Sequence, residues 1–414
     1  MSHTERTEIA VIGAGAVGIA CALWLRQRGY DVTVLEREGI ASGASFGNAS
    51  TFAVHGSTPI ARPDIWSNAP QLLFSPDSPF VINWSRLPRL TPWLIRFLGQ
   101  CNKKRFLKNS GTLAQLLGDT YGGYAPLLEE TPDAQTLINR RGCLYSFRQA
   151  ANLRAAHGDI ELRDKMGIHQ QRLNEAEVAE LEPAMEGHTK GGILFTDSSH
   201  LDDPEAFIRA LSAPLRAEGR VHIASVTSIK PTGQGLSIGH SDGQTLLADK
   251  VVVASGAWSA TLARQVGDRI PLDTERGYHI EFDLDNVPVS RPTCPVENAF
   301  YMTPLQGRLR AAGTVELGSI RDPANPKRLR YIEQHVRHIL NLNSEPARTW
   351  LGFRPSLPDS LPVIGPSPRE PRLIYAFGHQ HLGLTLAGAT GRLVADCLAG
   401  QQPDWLKHCS AGRF

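Results

Sequence analysis

The chain has 414 residues, with 43 Lys and Arg against 41 Asp and Glu. That length predicts two domains with sizeable cores, and a net charge of +2 argues against a nucleic-acid-binding surface. The six cysteines are scattered without a CxxC pair, which predicts free thiols in a reducing compartment and no metal site.

A strand, a glycine turn and a helix follow one another near the start. Ile9–Ile12 is a short apolar run that predicts a buried parallel strand. A GxGxxG pattern follows and opens a predicted helix from Val17 to Arg28, whose N-terminal amides can face a pyrophosphate. The residues that we expect to form this phosphate-binding turn are Gly13, Gly15, Ala16, Val17 and Gly18.

A second strand, Val32–Leu35, ends at Glu36, 18 residues after Gly18. A carboxylate at this place can accept hydrogen bonds from ribose hydroxyls and disfavours a phosphorylated ribose. The order of strand, turn, helix, strand and acid predicts a dinucleotide-binding unit. The loop that follows is rich in small residues and can present backbone amides to an extended cofactor, with expected contacts from Arg37, Ser42, Gly43, Ala44, Ser45, Asn48, Ala49 and Ser50.

Residues 58–100 are broken by prolines and carry Trp66, Trp84 and Trp93. One interpretation is a subdomain packed over the active site. The other is an apolar surface for a membrane or an electron acceptor. The sequence leaves both open.

The middle of the chain predicts several strands. Val221–Ile223 and Val226–Ile229 come first, and a hairpin with strands at 236–238 and 245–247 turns at Ser241–Gly243. Val251–Ala254 then predicts another buried parallel strand.

Near the end of the chain, two histidines flank Gln380 in a predicted turn. A helix is predicted from Gly383 to Cys397 or beyond, closed by Gly400. Its N-terminal amides can stabilise negative charge on a cofactor.

These segments together resemble the D-amino acid oxidase-like superfamily of FAD-dependent oxidoreductases. The motifs that carry the resemblance are VIGAGAVG, the pair Glu36-Arg37, Ser42 to Asn48, Asp249 to Trp258, Gly277-Tyr278-His279, Tyr301 to Glu316, GFRPSLPDSLPVIG and GHQHLGLTLAGATG. Within the superfamily, RRGCLYSFR and GHQHLGLT are most similar to bacterial D-amino acid dehydrogenases, a subgroup that includes D-hydroxyproline dehydrogenases.

The resemblance implies an α/β protein with a Rossmann-like FAD-binding domain and a second α+β substrate domain on a mixed or antiparallel sheet. It assigns residues 1–80, 195–270 and 350–414 to the first domain, and 81–194 and 271–349 to the second. The FAD is expected to be non-covalent. Further contacts to it are expected from Val226, which should meet the adenine, and from Gly256, Trp258, His379, Gly383, Leu384 and Thr385.

The resemblance also implies the residues of the reaction. Arg354 in GFRP is expected to clamp a substrate carboxylate, since a guanidinium offers it two parallel donors. Tyr301 and Tyr278 are expected to contact the carboxylate or the amine. His381 is the histidine expected to face the substrate, and His55 is a weaker candidate.

The implied reaction is oxidative deamination of a D-amino acid, with hydride transfer from Cα to the flavin, an imine product and an electron acceptor other than oxygen. D-Proline or a hydroxy-D-proline is the sharper expectation. Two alternatives stay open: an oxygen-using amine oxidase of the glycine or sarcosine oxidase type, and a flavin-bearing electron-transfer subunit.

Expected partners are the amino acid and an electron acceptor or respiratory chain component. We expect a cytoplasmic protein, because neither a signal-peptide pattern nor an apolar run of roughly 18 residues is present, with peripheral contact at the inner membrane face and an oligomeric assembly as open alternatives.

Overall fold

The computed structural model describes residues 5–66 and 80–414. In chain order, its strands are β1 (Glu5–Ile12), β2 (Val32–Glu36), β3 (Thr51–Phe52), β4 (Phe80–Ile82), β5 (Ile138–Asn139), β6 (Cys143–Ser146), β7 (Gln171–Leu173), β8 (Gly192–Phe195), β9 (Ser199–Leu201), β10 (Val221–Ile223), β11 (Val226–Thr232), β12 (Gly235–His240), β13 (Thr245–Val253), β14 (Asp273–Asp283), β15 (Thr293–Pro295), β16 (Phe300–Leu305), β17 (Arg308–Leu317), β18 (Arg348–Ser356), β19 (Val363–Pro366) and β20 (Leu373–Phe377).

The helices alternate with these strands. In the described ranges they are α1 (Ala16–Gln27), α2 (Leu87–Gln100), α3 (Lys103–Gly118), α4 (Thr120–Glu130), α5 (Pro132–Thr136), α6 (Ala150–Ala155), α7 (His157–Lys165), α8 (Glu175–Leu181), α9 (Pro204–Leu211), α10 (Ala213–Ala217), α11 (Ser259–Ala263), α12 (Pro326–Leu340) and α13 (Gly383–Leu398).

The first sheet carries the predicted dinucleotide unit. Its strand order is β10-β2-β1-β13-β12-β11, with β20 also paired to β13 and β19 paired to β20. The pairs β1–β2, β1–β13, β10–β2 and β13–β20 are parallel, whereas β11, β12 and β13 form an antiparallel meander. The predicted parallel strands and the hairpin are therefore confirmed. The central strand β1 is buried at Ile9–Ile12, as its unbroken apolar pattern predicts.

The second sheet is mixed, as expected for the substrate domain. Its strand order is β18-β14-β17-β16-β15-β6-β8-β7, with β4 paired to β17. Most neighbours are antiparallel, but the pairs β6–β15 and β4–β17 are parallel. Helix α12 packs its buried face, with Ile332 and Val336, against this sheet. A small third sheet, β3-β9-β5, lies apart from both.

Helix α13 lies between α1 and α4, and small residues let the chains approach closely. A Cβ atom on Gly388 would lie 2.6 Å from the carbonyl carbon of Gly123. Trp24 Nε1 donates a hydrogen bond to the Gly123 carbonyl at 2.9 Å. Helices α1, α3, α4 and α13 thus share one core with the first sheet.

The predicted domain boundaries stay a prediction, but this packing joins part of the predicted substrate domain to the first sheet. They place residues 81–194 in the substrate domain, yet α3, α4 and α5 bury side chains in the core of the first sheet and its helices: Leu113, Leu116, Leu117, Tyr124, Leu127, Leu128 and Ala134. A contact of this kind between distant segments cannot be read from local pattern.

The tryptophans of residues 58–100 have different environments. Trp93 is buried with Ile82, Leu90 and Leu317, and its ring stacks on Phe97 at a centroid distance of 5.2 Å. Trp66 and Trp84 are exposed. The buried Trp93 agrees with a packed subdomain, whereas the exposed Trp66 and Trp84 agree with an apolar surface. Residues 67–79 lie outside the described residues. In the described ranges, no helix is long and apolar enough to cross a bilayer.

Candidate functional site

A cavity of about 720 Å³ is lined by residues of both large sheets. Its floor is the carboxyl edge of the parallel strands β1, β2, β13 and β20, which is where open α/β sheets bind their ligands. Its roof comes from β14, β16, β17 and β18 of the second sheet.

The glycine turn lies at one end of this floor. Gly13 has φ +110°, and a Cβ atom there would lie 2.6 Å from the Ala254 carbonyl oxygen, so only glycine fits. A Cβ atom on Gly18 would lie 1.9 Å from the Gly13 carbonyl oxygen. Gly13, Gly15 and the first two residues of α1 line the cavity, whereas Gly18 does not. Gly18 therefore lets the helix pack onto the turn, and it does not line the cavity with the other predicted residues of the turn.

The acid at the end of β2 reaches the same cavity. Glu36 Oε2 accepts a hydrogen bond from Ala14 N at 2.7 Å, and Oε1 accepts one from Glu38 N at 3.1 Å. Beside it, the Arg37 guanidinium lies over the Trp258 ring at 3.6 Å from the centroid. The predicted ribose acid, Arg37 and Trp258 are therefore neighbours along one wall, which Val226 and Gly256 also line.

The loop of small residues after β2 lines the cavity from Ser42 to Ala49, except for Phe46. The Ser45 hydroxyl accepts a hydrogen bond from Ala16 N at 3.0 Å, which ties the loop to the start of α1. Asn48 Nδ2 donates to the Ser45 carbonyl at 2.7 Å. Ser50 is buried behind the loop and does not line the cavity, contrary to its predicted contact with the cofactor.

A buried arginine that sequence reasoning missed holds this loop in place. Arg310 on β17 donates from Nη1 to the carbonyls of Phe46 at 3.0 Å and Asn48 at 2.9 Å. Its Nη2 lies 2.7 Å from Glu281 Oε1. Burial works against the charge of Glu281, but Arg310 and Arg348 outweigh it, so the pKa of this carboxyl is lowered. An arginine among small apolar residues of a predicted strand is the sequence signal that marks such a buried ion pair.

The opposite end of the cavity collects the residues expected to bind substrate. Arg354 on β18, Tyr301 on β16 and His381 after β20 all line it, together with Glu275 on β14. Arg354 Nη1 donates to the Thr314 carbonyl at 2.8 Å. Burial raises the pKa of Glu275, although the Arg354 charge opposes this. Desolvation by the surrounding protein and the same cation lower the pKa of His381 to about 4, so its imidazole is neutral at pH 7 although the residue is exposed at the cavity.

Tyr278 does not join this group, and its expected role is corrected. Its side chain is buried and its hydroxyl donates to the Glu316 carboxylate, while Asn325 N donates to it at 3.1 Å. The reason is the alternation of side chains along a strand. Glu275 and Gly277 on β14 face the cavity, so Tyr278 faces the core on the other side of the sheet.

His55 also lies outside the cavity wall. It is buried, stacked on Phe195 at a centroid distance of 4.0 Å, and its Nε2 lies 3.2 Å from the Tyr145 hydroxyl. Tyr145 Oη lies 2.7 Å from the hydroxyl of Tyr301. The structure thus places His55 behind the cavity wall, connected to it through two tyrosines.

The first two residues of the helix that starts at Gly383 line the cavity beside His379, and their contact with the cofactor stays a prediction. Burial lowers the pKa of His379 to about 3. Thr385 is the exception: its hydroxyl is buried and accepts from Ala53 N at 3.0 Å, so it does not reach the cavity. Helix α13 ends at Leu398, and Gly400 has φ +72°, as the predicted stop requires.

Trp350 is a second residue that the sequence did not reveal. It lines the cavity and stacks on His279 with a centroid distance of 5.2 Å. A Cβ atom on Gly47 would lie 2.1 Å from the Trp350 ring, so the small-residue loop and the indole fit each other. The pairing joins residues about three hundred positions apart, which no local pattern predicts.

Comparison with known proteins settles the family. A family model described as FAD dependent oxidoreductase matches residues 8–397. The chain belongs to this family. It is 34% identical over 413 residues to a D-amino-acid oxidase of Bradyrhizobium diazoefficiens, with 97% of each chain covered. It is 32% identical over 409 residues to a D-amino acid dehydrogenase of Paramagnetospirillum magneticum, with 95% of each covered.

Solved structures of other proteins share the fold. Glycine oxidase from Geobacillus kaustophilus superposes with a TM-score of 0.77 at 22% identity, covering 99% of this chain and 100% of the other. L-Proline dehydrogenase from P. horikoshii gives 0.73 at 19% identity, covering 99% and 98%. At these identities, the likeness carries the fold alone.

The residues present fit the family's cofactor. The cavity offers a glycine turn and helix start for a pyrophosphate, a carboxylate at the end of β2 for a ribose, and the N-terminus of α13 at its other end. The Thr314 hydroxyl, which is buried on the cavity wall, has no hydrogen-bond partner within residues 5–66 and 80–414. In the same ranges, no group of three or more His, Cys, Asp or Glu residues is placed to hold a metal ion.

Proposed function

We propose that this protein oxidises D-amino acids with FAD and passes the electrons to an acceptor other than oxygen. The observation that carries the proposal is Arg354, which lines the cavity at the end opposite the glycine turn. The names of the relatives at 29–34% identity support the same substrate class. A flavin-bearing electron carrier would need no such cation.

The guanidinium of Arg354 would hold the substrate carboxylate. One of its N–H groups is committed to the Thr314 carbonyl, which fixes the plane of the fork and leaves the other donors for a ligand. Glu275, its register partner on the neighbouring strand β14, favours the charged form of the guanidinium. Tyr301, whose pKa is raised by burial, keeps its proton and would donate a second hydrogen bond to the carboxylate.

Neutral His381 suits the amine side of the substrate. Because its pKa is lowered to about 4, it adds no positive charge that would repel an ammonium group at pH 7. Its ring nitrogens offer one donor and one acceptor. We propose that one of them contacts the hydroxyl of a hydroxy-D-proline ring, which makes cyclic secondary amines the favoured substrates.

The chemistry that FAD supplies when bound is acceptance of the hydride that leaves the substrate Cα, after which water hydrolyses the imine product. The protein's contribution is orientation and electrostatics. The first-turn amides of α13 would face the pyrimidine end of the cofactor and favour negative charge there. We propose that the cofactor is held without a covalent bond, so that acid should release it.

Anaerobic mixing with single enantiomers tests the substrate. We expect D-proline and other D-amino acids to bleach the flavin absorbance and the L-enantiomers to leave it unchanged. Faster bleaching by glycine, sarcosine or an L-amino acid would refute the substrate assignment.

The electron acceptor is tested separately, since one relative is named an oxidase and others dehydrogenases. We expect turnover with an artificial dye to be much faster than peroxide formation in air. Equal rates would favour the oxygen-using amine oxidase instead.

We further propose that the exposed face of α2 and α3 contacts an anionic membrane surface, where a respiratory acceptor could be reached. Residues 80–118 contain no Asp or Glu. In and just before these helices, the exposed apolar residues include Trp84 (51%), Ile95 (65%) and Leu107 (43%), and the exposed basic residues include Arg89, Arg96, Lys103, Lys104, Arg105 and Lys108. A combination of exposed apolar and basic side chains is typical of interfacial segments.

Sedimentation with vesicles tests this surface. The protein should pellet with vesicles that contain anionic lipid and not with neutral ones. Ile95→Ser should weaken pelleting, while Ile223→Ser, at an equally exposed position on the first sheet, should not. Equal pelleting of the two variants would contradict the assignment.

A further inference from the structure

A line of hydrogen-bonded groups runs from the cavity into the protein behind it. It begins at Tyr301, a residue that lines the cavity, and continues from its hydroxyl to Tyr145 Oη at 2.7 Å. It passes to His55 Nε2 at 3.2 Å and ends at Ser198 Oγ, 2.8 Å from His55 Nδ1. The four groups come from β16, β6, the segment after β3 and the segment before β9.

The protonation of each member can be assigned from its surroundings. Burial, together with the charge of Arg163, holds the pKa of His55 well below its ordinary value, so the ring is neutral. Burial raises the pKa of Tyr145 and Tyr301, so both phenols keep their protons. Each hydroxyl then has one proton to donate and the imidazole has one N–H.

With these protons, the hydrogen bonds along the line can run in either of two directions. If Nδ1 carries the imidazole proton, Tyr145 donates to Nε2 and Tyr301 donates to Tyr145, so Tyr301 turns only lone pairs toward the cavity. If Nε2 carries it, every donor points the other way: Ser198 to His55, His55 to Tyr145, Tyr145 to Tyr301, and Tyr301 into the cavity. A carboxylate ligand accepts hydrogen bonds and cannot donate them.

We propose that Tyr145, His55 and Ser198 are positioning residues that hold the Tyr301 hydroxyl as a donor toward the substrate carboxylate. This rests on the proposed function, because it requires a carboxylate beside Tyr301. Aligned donors in a chain polarise one another, so each link strengthens the next. The stacking of His55 on Phe195 fixes the plane of the ring, and the hydrogen bond from Arg163 Nε to the His55 carbonyl at 3.3 Å holds the backbone that carries it.

Binding of a simple acid to the oxidised holoprotein tests the proposal without turnover. Propanoate and its neutral analogue propanamide are titrated while the flavin absorbance is followed. Tyr145→Phe removes the donor to Tyr301, and we expect it to weaken propanoate binding about 3- to 10-fold, the size of one hydrogen bond, and to leave propanamide nearly unchanged. The matched control is Tyr121→Phe. The hydroxyl that it removes contacts the Asp197 carbonyl and the Ser199 hydroxyl, which are outside this line of hydrogen bonds, and Tyr121 does not line the cavity.

Two variants of His55 separate hydrogen bonding from packing. His55→Gln keeps a donor near the Nε2 position and an acceptor for Ser198, so it should retain most propanoate affinity. His55→Leu fills the space but breaks the chain, so it should resemble Tyr145→Phe.

The outcomes distinguish the positioning role of Tyr145, His55 and Ser198 from the proposed function. Equal propanoate affinity in Tyr145→Phe and Tyr121→Phe, or in the two His55 variants, would overturn the positioning role and leave the proposed function standing. A wild-type holoprotein that binds no carboxylic acid would overturn both.

Discussion

Replacing Arg354 with alanine is the most direct test of the carboxylate clamp. One guanidinium donor is on the Thr314 carbonyl, Glu275 lies beside Arg354 on the neighbouring strand, and burial lowers the pKa of the arginine, so the donors left for the substrate act in a desolvated place. Losing a charged hydrogen-bonded pair there costs roughly 2–4 kcal/mol, or about 30- to 1,000-fold in kcat/KM. Most of the loss should appear for substrates that carry a carboxylate.

The assay compares two substrates in each variant. Anaerobic flavin reduction is measured with a D-amino acid and with an amine that lacks the carboxylate, and flavin content is checked by absorbance. Arg354→Lys is the matched control, because it keeps the charge beside Glu275 but loses the planar fork, and it should fall between wild type and Arg354→Ala. If both substrates lose activity equally while flavin is retained, Arg354 supports the fold and the clamp is refuted.

Three further outcomes are expected. Gly18→Ala should yield protein with little bound flavin, since its Cβ atom would lie 1.9 Å from the Gly13 carbonyl oxygen. The ratio of absorbance at about 450 nm to that at about 280 nm should be close to that of apoprotein. Stoichiometric flavin would contradict this prediction. Gly277→Ala should retain flavin but raise KM for D-amino acids, because its Cβ atom would lie 2.4 Å from Arg354 Nη2 and displace the guanidinium; an unchanged KM would show that the clamp tolerates the shift. The holoprotein should lose stability as the pH falls from about 6.5 toward 4, because buried His200 and His279, whose pKa values are lowered to about 4, stay neutral in the fold while the unfolded chain gains protons. Each histidine changes the free energy of unfolding by up to roughly 1.4 kcal/mol per pH unit. A thermal unfolding midpoint that does not change over that pH range would refute the assignment of His200 and His279 as neutral.

Much of the first sheet could be predicted because its signals are local. The strand, turn, helix, strand and acid from Ile9 to Glu36 are set by apolar runs, glycine conformation and helix capping, which act over a few residues. The turn at Gln380 and the helix start at Gly383 follow from the same kind of signal.

The composition of the cavity's far end was decided by tertiary structure. Arg354, Glu275 and Thr314 lie on three neighbouring strands, β18, β14 and β17, and only their register brings the guanidinium to the Thr314 carbonyl. The face of β14 decides that Gly277 lines the cavity while Tyr278 enters the core, because a shift of one residue exchanges the two faces.

The same holds for the groups behind the wall. The sequence by itself determined the family and the strand, glycine turn and helix at its start, and it predicted a role for Arg354, since each is carried by a short motif. It could not place His55, which three other segments surround, or reveal that Tyr145 connects it to Tyr301. Burial, hydrogen-bond direction and pKa depend on atoms that are far apart along the chain, so only the folded structure could decide them.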